Sequence, residues 1–166
     1  MNKFKVVVPS YNNERWAEIN LESIINQSYK NYEVFYINDA STDKTVEKYN
    51  ELVGKNPQFH LLENEVNMKR GFNVSNKNIK QFIDSDDDIV VFVDGDDWLP
   101  YDNIFENLNN FYNKHDVWMT YGGMLCWQGG TDVVQANPQN THYPDEVHNQ
   151  NAYRKDVWRA SHLRSF

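Results

Sequence analysis

Cysteine is almost missing from this chain. Cys126 is the only one in 166 residues, so no internal disulfide can form, which fits a reducing compartment. Basic charge is scarce as well: 16 Lys and Arg stand against 24 Asp and Glu, a net charge of −8. No long basic block occurs, so nucleic acid and anionic membranes are disfavoured as partners. An acidic protein can still hold a phosphate-bearing ligand when a divalent cation mediates the contact. No apolar run reaches the length of a membrane span, and the N-terminal MNKFKVVVPSYNNE is too short in apolar residues for a signal h-region. A soluble, cytoplasmic protein is the expectation. Several motifs are also missing. There is no GxxxxGK[ST] and no GxGxxG, no HExxH or CxxC spacing that would make zinc sites of the His residues and the single Cys, and no GxSxG elbow for acyl transfer.

What is present is a core. Hydrophobic residues make up 40% of the chain and aromatics 14%, enough for one globular domain with a substantial interior. The first two thirds alternate between strand and helix patterns. Phe4 to Val8 reads as a buried strand stopped by Pro9. A helix follows that Asn13 could cap, presenting Trp16, Ile19 and Ile24 to one side. Tyr32 to Ile37 is a second strand, Ser41 or Thr42 caps the next helix, and Val46, Tyr49 and Val53 recur in it until Gly54. A short strand from Phe59 to Leu62, a helix from about Phe72 to Ile83 and a strand from Ile89 to Val93 come next. A helix from Tyr101 to Lys114, with Ile104, Leu108 and Phe111 on one stripe, and a strand from Val117 to Tyr121 complete the pattern. Such alternation implies right-handed βαβ units and a mostly parallel sheet. After Gly122 periodicity fades. That stretch is either a functional loop or one that hides short strands, and the ending YRKDVWRASHLRSF reads as partly helical.

The carboxylates are placed unevenly. The run VVFVDGDDWLP carries a strand buried on both faces directly into Asp94, Asp96 and Asp97. Like charges so close are unfavourable unless solvent or a cation separates them. In open α/β sheets ligands bind outside the carboxyl ends of strands. The first strand ends in PSYNNE, the second in NDASTD and the fourth in DGDDW, so three polar clusters converge on one edge. A turn with helix-capping acids is the plain alternative for DGDD, and capping by Ser41, Thr42 or Asp43 for NDASTD. Asp39 stands apart because it precedes the cap. Asp84 to Asp88 lacks the Gly and Glu of an EF-hand loop and reads as a solvated turn. An oxygen-ligand site suits Mg²⁺ or Mn²⁺ together with a diphosphate.

Taken in order, VVVPSYNNERW, LESIINQSYKNYEVFYINDASTDKT and VVFVDGDDWL resemble a family 2 glycosyltransferase with the GT-A fold. The resemblance runs through Leu99. It combines a P-x-Y-N strand end, an S-I-x-x-Q-x-Y helix, an N-D-x-S-T-D turn and a D-x-D motif. It implies a GT-A α/β fold, with a mostly parallel Rossmann-like sheet and helices on both faces. Residues 1–166 would form a single domain, with 1–99 as the nucleotide-sugar-binding part and 100–166 as an incomplete acceptor-side part. The activity implied is metal-dependent transfer of a sugar, with inversion, from a nucleotide-diphosphate donor to a glycan or protein hydroxyl. A UDP-sugar is the expected donor. Pro9, Tyr11 and Asn12 would line the nucleoside pocket, and Asp39 would accept a hydrogen bond from the base. Asp94 would lie near the ribose or the metal, and Asp96 would bind the Mn²⁺ or Mg²⁺ that bridges the diphosphate. Departure of the leaving group builds negative charge on the diphosphate, and a fixed cation stabilises it.

Two departures from the family pattern stand out. The usual N-x-G-x-x-x-A-R-N block is replaced by NMKRGFNVSN, where Lys69 and Arg70 could meet phosphates or simply begin an exposed basic helix. The chain also ends at Phe166, early for the Asp or Glu that deprotonates the acceptor. Asp132, Asp145, Glu146 and Asp156 are the candidates for that base, each without a motif. His162, in WRASHLR, is a candidate metal or diphosphate contact, with a structural His as the alternative. Trp127 and Trp158 could stack on a sugar or fill the core. Two rival readings are a truncated or inactive relative that only binds donor, and a nucleotidyltransferase. The latter would need a Gly- and basic-rich loop after the first strand, and PSYNNERW is neither.

Overall fold

The computed structural model describes residues 1–69, 81–122, 125–127, 133–135, 145–150 and 161–165. It divides into two compact units, Met1–Trp118 and Met119–Ser165.

In the first unit β1 (Phe4–Ser10), β2 (Tyr32–Asn38), β3 (Phe59–Glu63) and β4 (Ile89–Phe92) lie in the order β3-β2-β1-β4. All three pairings are parallel. Every residue of β1 is buried, as expected of a central strand covered on both faces. Pro9 does not stop it. The strand runs on to Ser10, and the carbonyl of Pro9 accepts a hydrogen bond from Gly95 N–H at 3.0 Å. A proline is tolerated at this strand end because its missing N–H leaves the acceptor intact.

The two-residue period sorts the sheet into two faces. On one, Phe4 packs against Tyr29 and Phe105, Tyr32 against Phe105, and Tyr36 against Tyr49. These contacts seat α2 (Thr45–Val53) and α3 (Ile104–Lys114), while the Tyr32 hydroxyl donates to the Ile24 carbonyl of α1 (Ala17–Ile25) at 3.0 Å. On the other, Val7, Phe35, Ile37, Phe82 and Val90 form a cluster joined by Leu62, Met68 and Phe92. Apart from residues 81–83, the helix expected between Phe72 and Ile83 lies outside the described residues. Among the described residues no helix is long and apolar enough to cross a membrane.

Some faces differ from the expectation. In α1 the buried positions are Ala17, Asn20, Leu21 and Ile24, while Ile19 is exposed. In α3 it is Phe105 that is buried, and Phe111 faces outward against His115. The apolar pattern misled at these positions because polar residues take part of the buried face. Helix starts differ as well: the residues that precede α1 and α2, Trp16 and Lys44, supply no side-chain cap. Gly54 does end α2, at φ +49°.

Asp84 to Asp88 is not simply a solvated turn. Lys5, fully buried in β1, meets Glu33 at 2.6 Å, Asp84 at 2.5 Å and Asp88 at 3.9 Å. Burial alone would favour the neutral amine, but hydrogen bonds to Asp84 and Glu33 outweigh it and hold the Lys5 pKa above its ordinary value. The same bonds from Lys5 hold the Glu33 and Asp84 carboxyls below theirs.

In the second unit β5 (Thr120–Gly122) pairs antiparallel with β8 (Ser161–Ser165), and β6 (Leu125–Trp127) with β7 (Val133–Gln135). A short α4 spans Asp145–Asn149. The irregular stretch therefore hides short strands. In the C-terminal segment, expected to be partly helical, residues 161–165 are strand, and the rest of it lies outside the described residues.

Candidate functional site

Parallel strands in the order β3-β2-β1-β4 place the carboxyl ends of β1 and β4 side by side, with β2 and β3 added on one side of β1 and β4 on the other. That is a topological switch point, where α/β sheets open a crevice. PSYNNE, NDASTD and DGDDW meet there through backbone bonds. Asp39 N–H donates to the Ser10 carbonyl at 2.8 Å, and Gly95 N–H donates to the Pro9 carbonyl at 3.0 Å.

The first two loops are laced together. Thr42 N–H donates to Asn12 Oδ1 at 2.8 Å, and Asn12 N–H to Ser41 Oγ at 3.0 Å. Glu14 N–H donates to Asp43 Oδ2 at 3.0 Å, while Lys44 N–H donates to Glu14 Oε2 at 2.9 Å. Thr45 contributes from the other side, its hydroxyl accepting Asn13 N–H at 2.8 Å and donating to Asp43 Oδ1. Ser41 thus binds the neighbouring loop, while Asp43 bonds both that loop and, through Oδ1 at 3.0 Å, Thr45 N–H at the start of α2. Burial would raise the Asp43 pKa, but bonds from the Thr45 hydroxyl and the Glu14 and Thr45 N–H groups bring it below the usual carboxylate value. Left-handed backbone recurs at these strand ends: Asn12 at φ +51°, Ala40 at +60° and Lys69 at +67°. Such conformations cost energy for residues with a Cβ and persist where surrounding contacts enforce them.

Asp39 is buried, and both its carboxylate oxygens are engaged. Asn64 Nδ2 donates to Oδ1 at 2.8 Å, and Met68 N–H reaches Oδ1 and Oδ2 at 3.0 and 2.9 Å. A carboxylate retains further acceptor sites beyond these three bonds. Of the remaining candidates, Pro9 is buried, Tyr11, Asn12, Lys69 and Asp96 are exposed, and Asp94 is half-buried. Arg70 lies outside the described residues.

Sequence reasoning missed what holds the turn at β4. Gly95 is buried so tightly that a Cβ there would lie 2.7 Å from Ser10 Oγ and 2.8 Å from Asn13 Nδ2. Ser10 Oγ in turn accepts from Asn13 Nδ2 at 3.0 Å and from the Tyr36 hydroxyl at 2.8 Å. Burial pushes the Tyr36 phenol up to about 12, against the opposing effect of its bond to Ser10. Asn20 and Ser23 of α1, and Gln27 just past its end, bond to the backbone from Asp94 to Phe105. The S-I-x-x-Q-x-Y helix held part of this signal. It marked Ser23 and Gln27 but not their partners.

Among the described residues no group of three or more His, Cys, Asp and Glu side chains converges as a metal centre. Mg²⁺ and Mn²⁺ sites in diphosphate enzymes need fewer, because one or two carboxylates combine with phosphate oxygens and water. The hard oxygen donors of the D-G-D turn fit that chemistry, with Asp96 exposed at the strand end. Of the weaker candidates, Asp145 and Glu146 are exposed in the first turn of α4, His162 falls in β8, and Asp132 and Asp156 lie outside the described residues. Trp127 is partly exposed, and Trp158 also lies outside them.

A parallel sheet with polar, carboxylate-bearing strand ends at its switch point defines an open-sheet α/β protein. Comparison with known proteins narrows this. Residues 5–163 match the family described as Glycosyl transferase family 2. An uncharacterized glycosyltransferase of Haemophilus influenzae is 31% identical over 122 residues, covering 74% of this chain and 47% of that protein. Crystal structures of Staphylococcus aureus TarS in complex with UDP and with UDP-GlcNAc are 28% identical, with TM-scores of 0.60 and 0.57, covering 68% of this chain and 32% of theirs. A mannosyltransferase from Pyrobaculum calidifontis, solved with GDP-Man and Mn²⁺, shares the fold at TM-score 0.63 and 24% identity, over 72% of this chain and 34% of that one. The chain belongs to glycosyltransferase family 2 and has its GT-A fold. It spans about half or less of the length of the curated relatives it matches, 47% of one and 23% of another.

Proposed function

We propose that this chain binds a nucleotide-diphosphate sugar at the joined ends of β1, β2 and β4, and transfers the sugar to a hydroxyl acceptor. The observation that carries this reading is the D-G-D turn seated on β1 at the switch point, through Gly95 N–H on Pro9. The TarS complexes with UDP and UDP-GlcNAc support a UDP-linked donor. In this reading Pro9, Tyr11, Asn12 and Asp39 receive the nucleoside, and Lys69 and Arg70 face the phosphates. Asp94 and Asp96 hold Mn²⁺ or Mg²⁺. The cation supplies positive charge where the departing diphosphate becomes more negative. Inversion follows from the family, with an acidic base taken from the acceptor side. Asp132, Asp145, Glu146 and Asp156 are the residues to test for that base, and His162 is the further metal candidate.

Calorimetric titration of UDP, with and without Mn²⁺, into the native chain and Asp96→Ala tests the donor site. Binding that needs both the metal and Asp96 is the expected result. A folded chain that ignores UDP in saturating Mn²⁺ rules the site out. Tight, metal-dependent UDP binding without release of sugar from any UDP-sugar, even by slow hydrolysis, would identify a donor-binding module.

A further inference from the structure

We propose that Asn20 is a positioning residue for the Asp94–Asp97 turn, fixing from the buried face of α1 the two carbonyls that bound it. The inference rests on the donor-site reading above and names the residue that presets its carboxylates. Asn20 is fully buried. Its Nδ2 donates to the Asp94 carbonyl at 3.1 Å and to the Asp97 carbonyl at 2.7 Å, the first and last of the turn. Both acceptors are carbonyl oxygens, so only the NH₂ end of the amide satisfies them and its orientation is determined. The other end has no hydrogen-bond partner among the described residues. An unsatisfied buried acceptor costs stability, and an apolar side chain would remove that cost. Asn20 is thus a poor choice for packing and a good one for pinning a turn.

The pinning is reinforced on every side. Asp97 N–H closes the turn onto the Asp94 carbonyl at 3.0 Å, and Gly95 N–H ties its middle to Pro9. Along α1 the same face continues with Ser23, whose hydroxyl donates to the Asn20 carbonyl at 2.7 Å and accepts Leu99 N–H at 3.0 Å. Gln27 extends it, donating to the Tyr101 carbonyl at 2.7 Å and accepting Phe105 N–H at 3.0 Å. A spacing of three residues keeps Asn20 and Ser23 on one side of α1, and Gln27 lies just past its end. The helix that carries this seam starts from the carbonyl of Asn13, which accepts the N–H groups of Trp16 and Ala17. The loop that receives the nucleoside and the turn that carries the carboxylates are therefore held by one rigid element. Ligands on a preset turn bind a cation without first paying to order it.

The test compares UDP affinity with and without Mn²⁺ for the native chain, Asn20→Ala and Asn20→Asp, together with amide hydrogen exchange of each ligand-free protein. Metal-free affinity should stay within about twofold, while the gain conferred by Mn²⁺ falls roughly 10–100-fold, as for residues that orient metal ligands. The amides of Asp97 and Leu99 should exchange faster in Asn20→Ala. Should both Asn20 variants lose their fold, Ser23→Ala takes their place, with a selective loss of the Mn²⁺ gain of about threefold. Folded variants that retain the native gain overturn the proposal, as does unchanged exchange at Asp97 and Leu99. A native chain with no Mn²⁺ gain overturns the donor-site reading instead, and the exchange measurement then reports on the clamp alone.

Discussion

The two ends of the parallel sheet both gather carboxylates, and they handle them in opposite ways. At the amino end Glu33, Asp84 and Asp88 surround the buried ammonium of Lys5, with Lys3 3.1 Å from Glu33. Charge is neutralised there by the protein itself. At the carboxyl end Asp39 is held by an amide and a backbone N–H, and the D-G-D turn is held through its backbone by Asn20 and Pro9. Neutral partners fix geometry without cancelling charge, which leaves Asp96 exposed at the switch point. One end of the sheet is built for stability, and the other is available to a cation and a ligand.

The sharpest way to break this comparison is to exchange the effects. Asp96→Ala should lower Mn²⁺-dependent UDP affinity by about a hundredfold or more, since even residues outside the metal shell cost roughly 10–100-fold. Its stability should remain within about 0.5 kcal/mol of the native chain, as for other exposed positions. Lys5→Ala should do the reverse, lowering the urea midpoint because a fully buried side chain is lost and Glu33, Asp84 and Asp88 lose their cation, with UDP affinity changed less than about twofold. Urea unfolding and calorimetry on the two variants decide the matter. If Lys5→Ala weakens UDP binding as strongly as Asp96→Ala, the two ends are not independent.

Gly95→Ala should disturb both properties. The added Cβ meets Ser10 and Asn13 below 3 Å, and overpacking of this kind costs about 1–3 kcal/mol. Because those residues belong to the loop after β1, UDP affinity should fall along with the unfolding midpoint. An affinity left intact would show that the turn can shift without consequence.

Acid should unravel the amino end first. Glu33 and Asp84 have folded pKa values below their ordinary ones. Their stabilising contribution is therefore complete above the ordinary carboxylate pKa of about 4 and is lost as pH falls through the lower folded values. Lys5 is raised instead, so its contribution persists below its ordinary value of about 10.5 and is lost only above the folded one. Unfolding midpoints between about pH 6 and 2 should fall steeply for the native chain and less so for Lys5→Met. Equal slopes would remove the Lys5 cluster as the acid-sensitive element.

The smallest effect concerns Asn12. At φ +51°, Asn12→Gly should lose only the bond to Thr42, whereas Asn12→Ala should be less stable than Asn12→Gly by about 1 kcal/mol. Thermal unfolding of the pair measures the strain directly.

Much of this was legible before any coordinates. Strands β1, β2, β3 and β4 were found within two residues of their observed ends, because buried parallel strands are continuous apolar runs. The strand-end clusters were found because they interrupt those runs. The buried faces of α1 and α3 were misread in part. Asn20 and Gln27 occupy core positions and carry no apolar signal, while Ile19 and Phe111 carry one and are exposed. The strand β8 went unrecognised within a segment expected to be partly helical, since basic and aromatic residues suit either state and five residues are too few for a period to declare itself.

The sequence alone determined the family, the order of β1 to β4 with the helices between and after them that the structure describes, and which strand ends gather the candidate residues. Each of these is written in residues close together along the chain. Only the tertiary structure decided which carboxylates the protein neutralises, why position 95 must be glycine, and that Asn20 holds the turn. Asn20 and Asp94 lie 74 positions apart, Lys5 and Asp84 lie 79 apart, and no local pattern links them. Close packing of the sheet brings such pairs within hydrogen-bond distance, and at that distance steric fit and charge set what each side chain does.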